Sequence, residues 1–361
     1  MRSWATLLLA ACPSMLEAQL SDRIAEVERV LAPLVQSYGV SGMEMPVRAT
    51  VERLLPRGLR PQTDSAGNLW VTVGQGEPTV VFVAHLDEVG FKVSGIRDDG
   101  SLDLEPVGGL FPSLWEAKPA LIHTGRATVP GVFLPRDSAA ATDPKRTPPN
   151  IRADVGTASR DATARLGIRV GSTLTMPKQF VRLRGTRATG RSFDDRVGSA
   201  AQVIALRRLN PARLRHTVIF IWSVREEIGL EGARAVANAL GLRPARVHAI
   251  DTFVSADSPL EPKNFAQAFL GRGAVARALD NSAVTPPAYV DSLVALAGVR
   301  RIALQVGTTN GGNDGSVFAA YGVPDVPIGW PLRYSHSPAE TSDLRDVASL
   351  ADMIQAIAEQ W

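Results

Sequence analysis

The stretch TVVFVAHLDEVGF, residues 79–91, decides the fold class of this chain. Its first part, residues 79–84, is an unbroken β-branched and apolar run, which is typical of a strand buried on both faces. Residues 217–224 show the same pattern, and segments with a helical period at 195–209 and 230–240 alternate with these runs. The alternation predicts an α/β fold in which helices cover both faces of a mainly parallel sheet, a three-layer arrangement.

Further elements are predicted towards both ends of the chain. A helical period extends over residues 21–36 and again over residues 342–361. Short apolar runs at 246–250, 298–304 and 323–328 predict three more strands.

The pattern changes between residues 89 and 188. Short alternating runs, the last of them at 181–183, are separated there by Gly and Pro at close spacing, and one helix is predicted around 159–166. These runs predict a small β-barrel-like insert. The chain would then consist of a catalytic domain, 21–88 and 189–361, interrupted by a β-rich domain for dimerisation or for covering the site.

Composition excludes several classes of function. The 361 residues carry a net charge of +3 and 45% apolar residues, which is ordinary for a globular protein. The scattered basic residues give no basis for a nucleic-acid partner. The sequence contains no Gly-x-Ser-x-Gly elbow and no Gly-rich phosphate loop, which disfavours a serine hydrolase and a nucleotide enzyme.

The first 20 residues have the character of an export signal. Arg2 precedes an apolar run that ends in LAAC, and this ending resembles the bacterial lipobox, in which the cysteine is lipidated. Cys12 is the only cysteine, so the mature body of the protein has neither a disulfide nor a thiolate metal site. We therefore expect an exported, periplasmic or membrane-anchored lipoprotein. The alternatives are cleavage after Ala18 and a plain N-terminal helix in a cytoplasmic protein.

Acidic and imidazole side chains stand at five places, at the ends of predicted strands or in loops and turns between elements. They are His85 and Asp87, Asp194 and Asp195, Glu226 and Glu227, Asp251, and His336. Ligands of open α/β sheets bind beyond the carboxyl ends of the strands. These groups are therefore expected to converge.

The chemistry of the set favours two divalent ions. Imidazole and carboxylate suit Zn²⁺, Co²⁺ or Mn²⁺. Two imidazoles and three carboxylates, one of them bridging, would give each ion three protein ligands, and a water shared by both ions would be activated for attack. In the pair Glu226 and Glu227, one glutamate can bind metal while the other serves as general base. Taken alone, each motif is more often a helix cap or a solvated surface group.

Four stretches in this order resemble the tetrahedral and glutamyl aminopeptidases, a family that also contains chains labelled endoglucanase and deblocking aminopeptidase. They are AHLDEVGF at 84–91, FDDRVG at 193–198, EEIGLEGA at 226–233 and RYSHS at 333–337. The resemblance implies the zinc-exopeptidase fold with an inserted small β-barrel-like domain. It also implies peptide substrates and homo-oligomers formed through the insert.

The resemblance further implies a role for each ligand of two divalent ions, zinc or cobalt. His85 and Asp251 would hold one ion. Glu227 and His336 would hold the other, and Asp194 would bridge the two.

Two more residues receive roles by the same resemblance. Glu226 would be the general base, and Asp87 would orient His85, a function that metal-bound imidazoles usually need. The chain departs from the family at residues 312–315, where GNDG replaces the usual GTDA, and at Arg225, where glutamine is common. The predicted function is thus a metal-dependent aminopeptidase. The alternatives are an amidohydrolase, deacylase or carboxypeptidase with the same metal centre, and a non-catalytic binding protein.

Overall fold

A computed structural model describes residues 13–125, 127–135, 151–240, 244–255, 257–259 and 267–360. Within them the helices are α1 (Pro13–Gln36), α2 (Met45–Leu54), α3 (Arg160–Arg165), α4 (Phe193–Arg208), α5 (Glu231–Leu240), α6 (Pro287–Arg300), α7 (Ser316–Ala319) and α8 (Leu344–Gln360). The strands are β1 (Gln62–Thr63), β2 (Leu69–Val73), β3 (Thr79–His85), β4 (Gly90–Ile96), β5 (Leu102–Val107), β6 (Pro119–His123), β7 (Thr128–Phe133), β8 (Arg152–Asp154), β9 (Thr173–Thr175), β10 (Val181–Arg182), β11 (Arg187–Gly190), β12 (Thr217–Ser223), β13 (Arg246–Val254), β14 (Ala274–Leu279), β15 (Leu304–Thr308), β16 (Ile328–Leu332) and β17 (Glu340–Asp343).

The centre of the fold is an eight-stranded sheet with the order β1-β2-β12-β3-β13-β16-β14-β15. The four middle strands β12, β3, β13 and β16 are parallel. All seven residues of β3 are buried, as its continuous apolar run predicts. The predicted α/β class with a mainly parallel sheet is confirmed.

Alternate residues of β3 face two different hydrophobic cores. Phe82 belongs to the core formed with α1, α2, α4 and α8. Val81 and Val83 belong to the core formed with α5 and α7. Because successive side chains of a strand point to opposite faces, both faces of the sheet are covered by helices, as predicted.

The insert is a closed six-stranded barrel, β4-β5-β8-β7-β6-β9. Its core contains Phe91, Trp115 and Phe133, whose ring centroids lie 5.1 to 5.6 Å apart. The run at 181–183 was grouped with the insert from its sequence, but β10 pairs with β11, and β11 with β17 near the C-terminus. The last barrel strand therefore ends at Thr175, and the domain boundary at 188 stays a prediction.

Two strand predictions in the C-terminal half were wrong. Residues 298–304 begin inside α6, and the strand itself starts at Leu304. Residues 298–300 form the last turn of this helix, whose buried residues Leu293 and Ala297 lie four positions apart on one face, and Arg301 ends the helix in a left-handed conformation. Similarly, residues 323–328 mostly precede β16, which begins at Ile328.

A buried ion cluster joins the insert to the sheet domain. Glu88, which precedes β4, contacts Lys178 Nζ at 2.7 Å, Arg191 Nη2 at 3.0 Å and Arg196 Nη2 at 3.5 Å. All four side chains are buried. Burial alone would raise the pKa of Glu88, but the three cations outweigh it and hold that pKa well below its usual value. One carboxylate therefore ties together the chain segments that enter and leave the barrel.

We expect Glu88→Gln to destabilise the protein strongly. The substitution leaves three buried cations without their anion, and breaking a buried ion pair costs about 3–5 kcal/mol. The free energy of unfolding in urea measures this loss. Glu105→Gln is the matched control, because Glu105 pairs with Lys92 at 2.5 Å on the exposed barrel surface and such pairs contribute about 1 kcal/mol or less. Equal effects of the two substitutions would contradict the role of Glu88.

The same cluster predicts a pH dependence of stability. The folded-state pKa of Glu88 lies below its ordinary value of 4.5, so its contribution is present above that value and is lost as the pH falls below it. Urea unfolding followed from neutral to acid pH should therefore show a smaller loss of stability in Glu88→Gln than in the unaltered protein. If the free energy of unfolding fell equally with pH in both proteins, Glu88 would not be the group that causes the loss of stability in acid.

Candidate metal centre

The carboxyl ends of the parallel strands open into one cavity of about 490 Å³. Since β12, β3, β13 and β16 are neighbours, residues at or after their ends meet at one edge of the sheet. The cavity is lined by six of the residues singled out from the sequence: His85, Asp194, Glu226, Glu227, Asp251 and His336. Asp87, which was also singled out, is fully buried and contacts the backbone of two lining residues. Cys12 lies outside the described residues.

Three of these residues form a compact group. Ligand atoms of His85, Asp194 and Glu227 lie within 4.8 Å of one another. Asp194 Oδ1 is 3.1 Å from His85 Nε2, and Asp194 Oδ2 is 3.5 Å from His336 Nε2. His336 Nε2 is also 3.4 Å from Glu227 Oε2. One carboxylate thus faces both imidazoles, the arrangement that a bridging ligand requires.

The neighbouring aspartate has a different environment. Asp195 does not line the cavity, and its carboxylate accepts the backbone N–H groups of His85 at 3.1 Å and Gly198 at 2.8 Å. Asp194 and Asp195 have non-helical backbone angles at the beginning of α4. Of the two adjacent aspartates, only Asp194 therefore presents a carboxylate to the cavity.

Asp87 organises the floor of the centre. Its Oδ1 lies 3.3 Å from His85 Nδ1 and accepts the backbone N–H of Glu226 at 3.0 Å. Its Oδ2 accepts the backbone N–H of Glu227 at 3.1 Å and the hydroxyl of Ser41 at 2.6 Å. Asp87 therefore fixes the His85 ring and the backbone of both glutamates.

The chain makes a sharp turn between β12 and these two glutamates. Arg225 has a positive φ of 54°, a left-handed conformation that side chains rarely adopt. Asn68 Oδ1 accepts the N–H of Val224 at 3.0 Å, and Glu44 Oε1 accepts that of Arg225 at 3.1 Å. The turn after β12 is thus held from both sides, which aims the two following amides at Asp87.

His336 is held by residues that the sequence analysis did not identify. Its Nδ1 donates to the backbone carbonyl of Gly109, which belongs to the insert. Its backbone N–H donates to Glu340 Oε1 at 2.8 Å, and Glu340 Oε2 accepts the N–H of Asp194 at 3.2 Å. Since a carbonyl only accepts, Nδ1 carries the proton, and Nε2 faces the carboxylates. A backbone carbonyl has no sequence signature, and Glu340 stands in no pattern that marks a site.

Asp251 lies within β13, not after the strand as predicted. Its Oδ2 is 3.3 Å from Arg277 Nη1, and its Oδ1 accepts the N–H of Thr252 at 2.6 Å. Asp251 is not a member of the compact group. It lines the same cavity as that group does.

The electrostatics of the cavity fit divalent cations. Burial raises the pKa of Glu227 to about 7 and that of Asp251 to about 6, and it raises the pKa of Glu226 well above its usual value. Burial would lower the pKa of His85, but hydrogen bonds to Asp194 and Asp87 outweigh it. The cavity thus concentrates carboxylates away from water. Imidazole nitrogens and carboxylate oxygens without thiolates are a donor set for zinc, cobalt or manganese.

The chain is similar to known peptidases in sequence and in fold. The lysyl aminopeptidase of Pyrococcus furiosus is 30% identical over 342 residues, covering 92% of this chain and 96% of that protein. The structure of the TET1 peptidase of Pyrococcus horikoshii is similar with a TM-score of 0.84 and 30% identity, covering 94% of this chain and 100% of the other. A Thermotoga maritima structure described as an endoglucanase is similar with a TM-score of 0.73 and 28% identity, covering 91% and 96%.

The sequence profile of one family matches residues 67–353, which include most of the sheet and the whole barrel. The resemblance found in the four motifs is confirmed. The chain belongs to the M42 glutamyl aminopeptidase family.

Proposed function

We propose that this metallo-aminopeptidase removes N-terminal residues from peptides with a centre of two divalent ions. The observation that carries the proposal is that Asp194 faces both His85 and His336, while Glu227 lies against the second histidine. In this assignment His85 and Asp251 would hold one ion. Glu227 and His336 would hold the other, and Asp194 would serve both.

The bound ions supply activation of a water and stabilisation of the negative charge that develops on the substrate carbonyl. Asp87 keeps His85 in one orientation through its contact with Nδ1, which leaves Nε2 directed at Asp194. The Gly109 carbonyl does the same for His336. Both imidazoles are therefore preorganised with Nε2 towards the carboxylates.

Glu226 is the proposed general base. It lines the cavity next to Glu227, and Asp87 holds the backbone N–H groups of both residues at 3.0 and 3.1 Å. Glu227 contacts His336 and is assigned to metal binding, which leaves Glu226 to accept a proton from the attacking water. The same carboxyl group then returns this proton to the leaving amine.

We also propose that the insert mediates assembly into homo-oligomers. The related peptidase of Pyrococcus horikoshii can assemble into a tetrahedron or a large octahedral shell. In this chain the insert exposes Val132, Leu166 and Val170, with 48%, 41% and 64% of their surfaces accessible. Light scattering of the full-length protein tests the proposal, which a monomer at micromolar concentration would contradict.

Export through residues 1–20, with Cys12 lipidated, remains our proposal for localisation. Ala18 lies inside helix α1, whose described residues start at Pro13. Cleavage after Ala18 would therefore remove the first described residues of this helix, while cleavage before Cys12 would keep them. None of the described helices is long and apolar enough to cross a membrane. Detergent partitioning of the native protein and of Cys12→Ser tests the anchor, and a cytosolic protein that retains Met1 would contradict it.

The substrate class is tested with metal-depleted and reconstituted protein. We expect chelation to abolish hydrolysis of aminoacyl anilides and Zn²⁺ or Co²⁺ to restore it at about two ions per chain, as a shared carboxylate implies. N-acyl amino acids and peptides with a blocked N-terminus are the control substrates. Faster hydrolysis of N-acyl amino acids would favour the amidohydrolase or deacylase alternative, and release of C-terminal residues would favour a carboxypeptidase.

The two adjacent glutamates are separated by substitution. Glu227→Ala should lower metal content and activity together, because one ion loses a protein ligand. Glu226→Gln should keep both ions and the KM while kcat falls by about 10²- to 10⁴-fold, the usual contribution of a positioned base. Metal content and steady-state kinetics measure both effects.

Glu231→Gln is the control for this pair. Glu231 pairs with Arg225 at 2.7 Å, and it does not line the cavity. We expect the kcat of this variant to stay near that of the unaltered protein. Turnover close to normal in metal-replete Glu226→Gln would move the role of base to another residue.

A further inference from the structure

One buried arginine in the wall of the cavity has no role in the proposed reaction. Arg277 lies on β14 and lines the cavity with 1% of its surface accessible. Its Nη1 is 3.3 Å from Asp251 Oδ2, and its Nη2 is 3.1 Å from Asp280 Oδ2. Nη2 also donates to the Gly312 carbonyl at 3.4 Å. The guanidinium thus connects a proposed metal ligand with a second carboxylate outside the cavity lining.

A buried cation in an aminopeptidase cavity has two possible uses. It can bind an acidic side chain of the substrate, or it can hold a group of the protein in place. Substrate binding requires an accessible guanidinium edge that can make paired hydrogen bonds to a carboxylate. Arg277 exposes no such edge, because only 1% of its surface is accessible and its Nε and Nη1, which make no hydrogen bond among the described residues, are themselves buried. Its charge faces two protein carboxylates at 3.3 and 3.1 Å. The contacts favour the second use.

We infer that Arg277 is a positioning residue for Asp251, and that the cavity does not use this arginine to select acidic N-terminal residues. The inference rests on the proposed role of Asp251 as a metal ligand. Arg277 holds Oδ2 of Asp251 by an ion pair at 3.3 Å, and the N–H of Thr252 donates a hydrogen bond to Oδ1 at 2.6 Å. A carboxylate held at both oxygens has lost the freedom to rotate, and each oxygen keeps a lone pair for an ion. Groups that orient a ligand in this way contribute about 10- to 100-fold to metal affinity or activity.

Arg277 is held in turn by Asp280, whose own carboxylate accepts several hydrogen bonds. Asp280 Oδ2 accepts a hydrogen bond from Asn313 Nδ2 at 2.8 Å, and Asp280 Oδ1 accepts the N–H groups of Ser282 at 2.8 Å and Ala283 at 2.9 Å. Asp280 and Asn313 are both buried. The network therefore runs from Asn313 through Asp280 and Arg277 to Asp251, and each member fixes the next.

This network passes through the segment in which the chain departs from its family. Asn313 stands where the usual motif GTDA has threonine, and Gly315 stands where it has alanine. A Cβ atom at position 315 would lie 2.1 Å from Asp325 Oδ1, so the glycine makes room for that buried carboxylate. Asn313 Oδ1 accepts the N–H of Gly315 at 2.8 Å, which fixes the side chain that donates to Asp280. Both departures from the family motif, Asn313 and Gly315, are therefore accommodated by the hydrogen bonds around the network that ends at Asp251.

The test compares Arg277→Met, which removes the charge, with Arg277→Lys, which keeps it. We expect Arg277→Met to weaken one of two metal sites by about 10- to 100-fold and to lower kcat/KM for glutamyl, leucyl and alanyl anilides by a common factor. Lysine is a point charge that cannot contact both carboxylates in the same way, so it should restore binding only in part. Calorimetric titration of metal-depleted protein with Zn²⁺ measures the two sites separately.

Arg208→Met is the matched control. Arg208 is a partly buried arginine at the opposite end of α4 from Asp194; it bridges Glu26 and Asp352 and does not line the cavity. We expect it to affect stability and to leave zinc affinity unchanged. If Arg277→Met does not fold, Asn313→Ala carries the test, since it loosens Asp280 without touching Asp251. A several-fold loss of zinc affinity at one site is then the expected result.

The outcomes separate this inference from the proposed function. Unchanged zinc affinity at both sites in Arg277→Met, or in Asn313→Ala where that variant replaces it, would overturn the inference. A selective loss of activity on glutamyl anilide would also overturn it and would assign Arg277 to substrate binding. Asp251→Asn should weaken one zinc site. If it does not, the proposed ligand set fails, whereas a loss in Asp251→Asn with none in Arg277→Met refutes only the role of Arg277.

Discussion

The metal centre depends on the contacts that the buried carboxylate of Asp87 makes with His85, Glu226 and Glu227. It faces Nδ1 of His85 at 3.3 Å and accepts the backbone N–H groups of Glu226 and Glu227. A fully buried carboxylate requires such partners, because an unpaired charge in the interior is costly. By meeting this requirement, Asp87 joins the carboxyl end of β3 to the turn after β12. The proposed ligands His85 and Glu227 and the proposed base Glu226 are therefore contacted by one side chain that does not line the cavity.

The next residue, Glu88, has a similar role at the junction between the barrel and the sheet domain. Asp87 serves the metal centre, whereas Glu88 binds Lys178, Arg191 and Arg196 at the base of the barrel. Neighbouring residues of extended chain point to opposite sides, so two adjacent carboxylates can serve two different structures. Arg196 also donates to the backbone carbonyl of Asp87 at 3.2 Å. Arg196 therefore contacts both Glu88, which holds the barrel, and the backbone of Asp87, which supports the metal centre.

The sequence predicted the site residues at the ends of parallel strands. It did not predict the contacts that loops and backbone atoms make with them. His85 and Glu227 were identified because they follow predicted strands whose ends share one edge of the sheet, and Asp194 because it opens a predicted helix. The Gly109 carbonyl has no side-chain signal. Arg277 was missed because β14 was not recognised, since its run AVARAL carries a charge in the middle of an apolar segment. Its partner Asp251 makes that charge acceptable in the interior.

The cavity is not a property of the sheet domain alone. Gly109 and Phe111, both in the insert, line it together with the proposed metal ligands. The Gly109 carbonyl sets the tautomer of His336, so the barrel contributes to the ligand geometry. The Glu88 cluster holds the barrel against the sheet domain and thereby maintains that contact. An oligomer built through the insert would consequently fix the same element that orients His336, which connects assembly to the chemistry of the centre through one hydrogen bond.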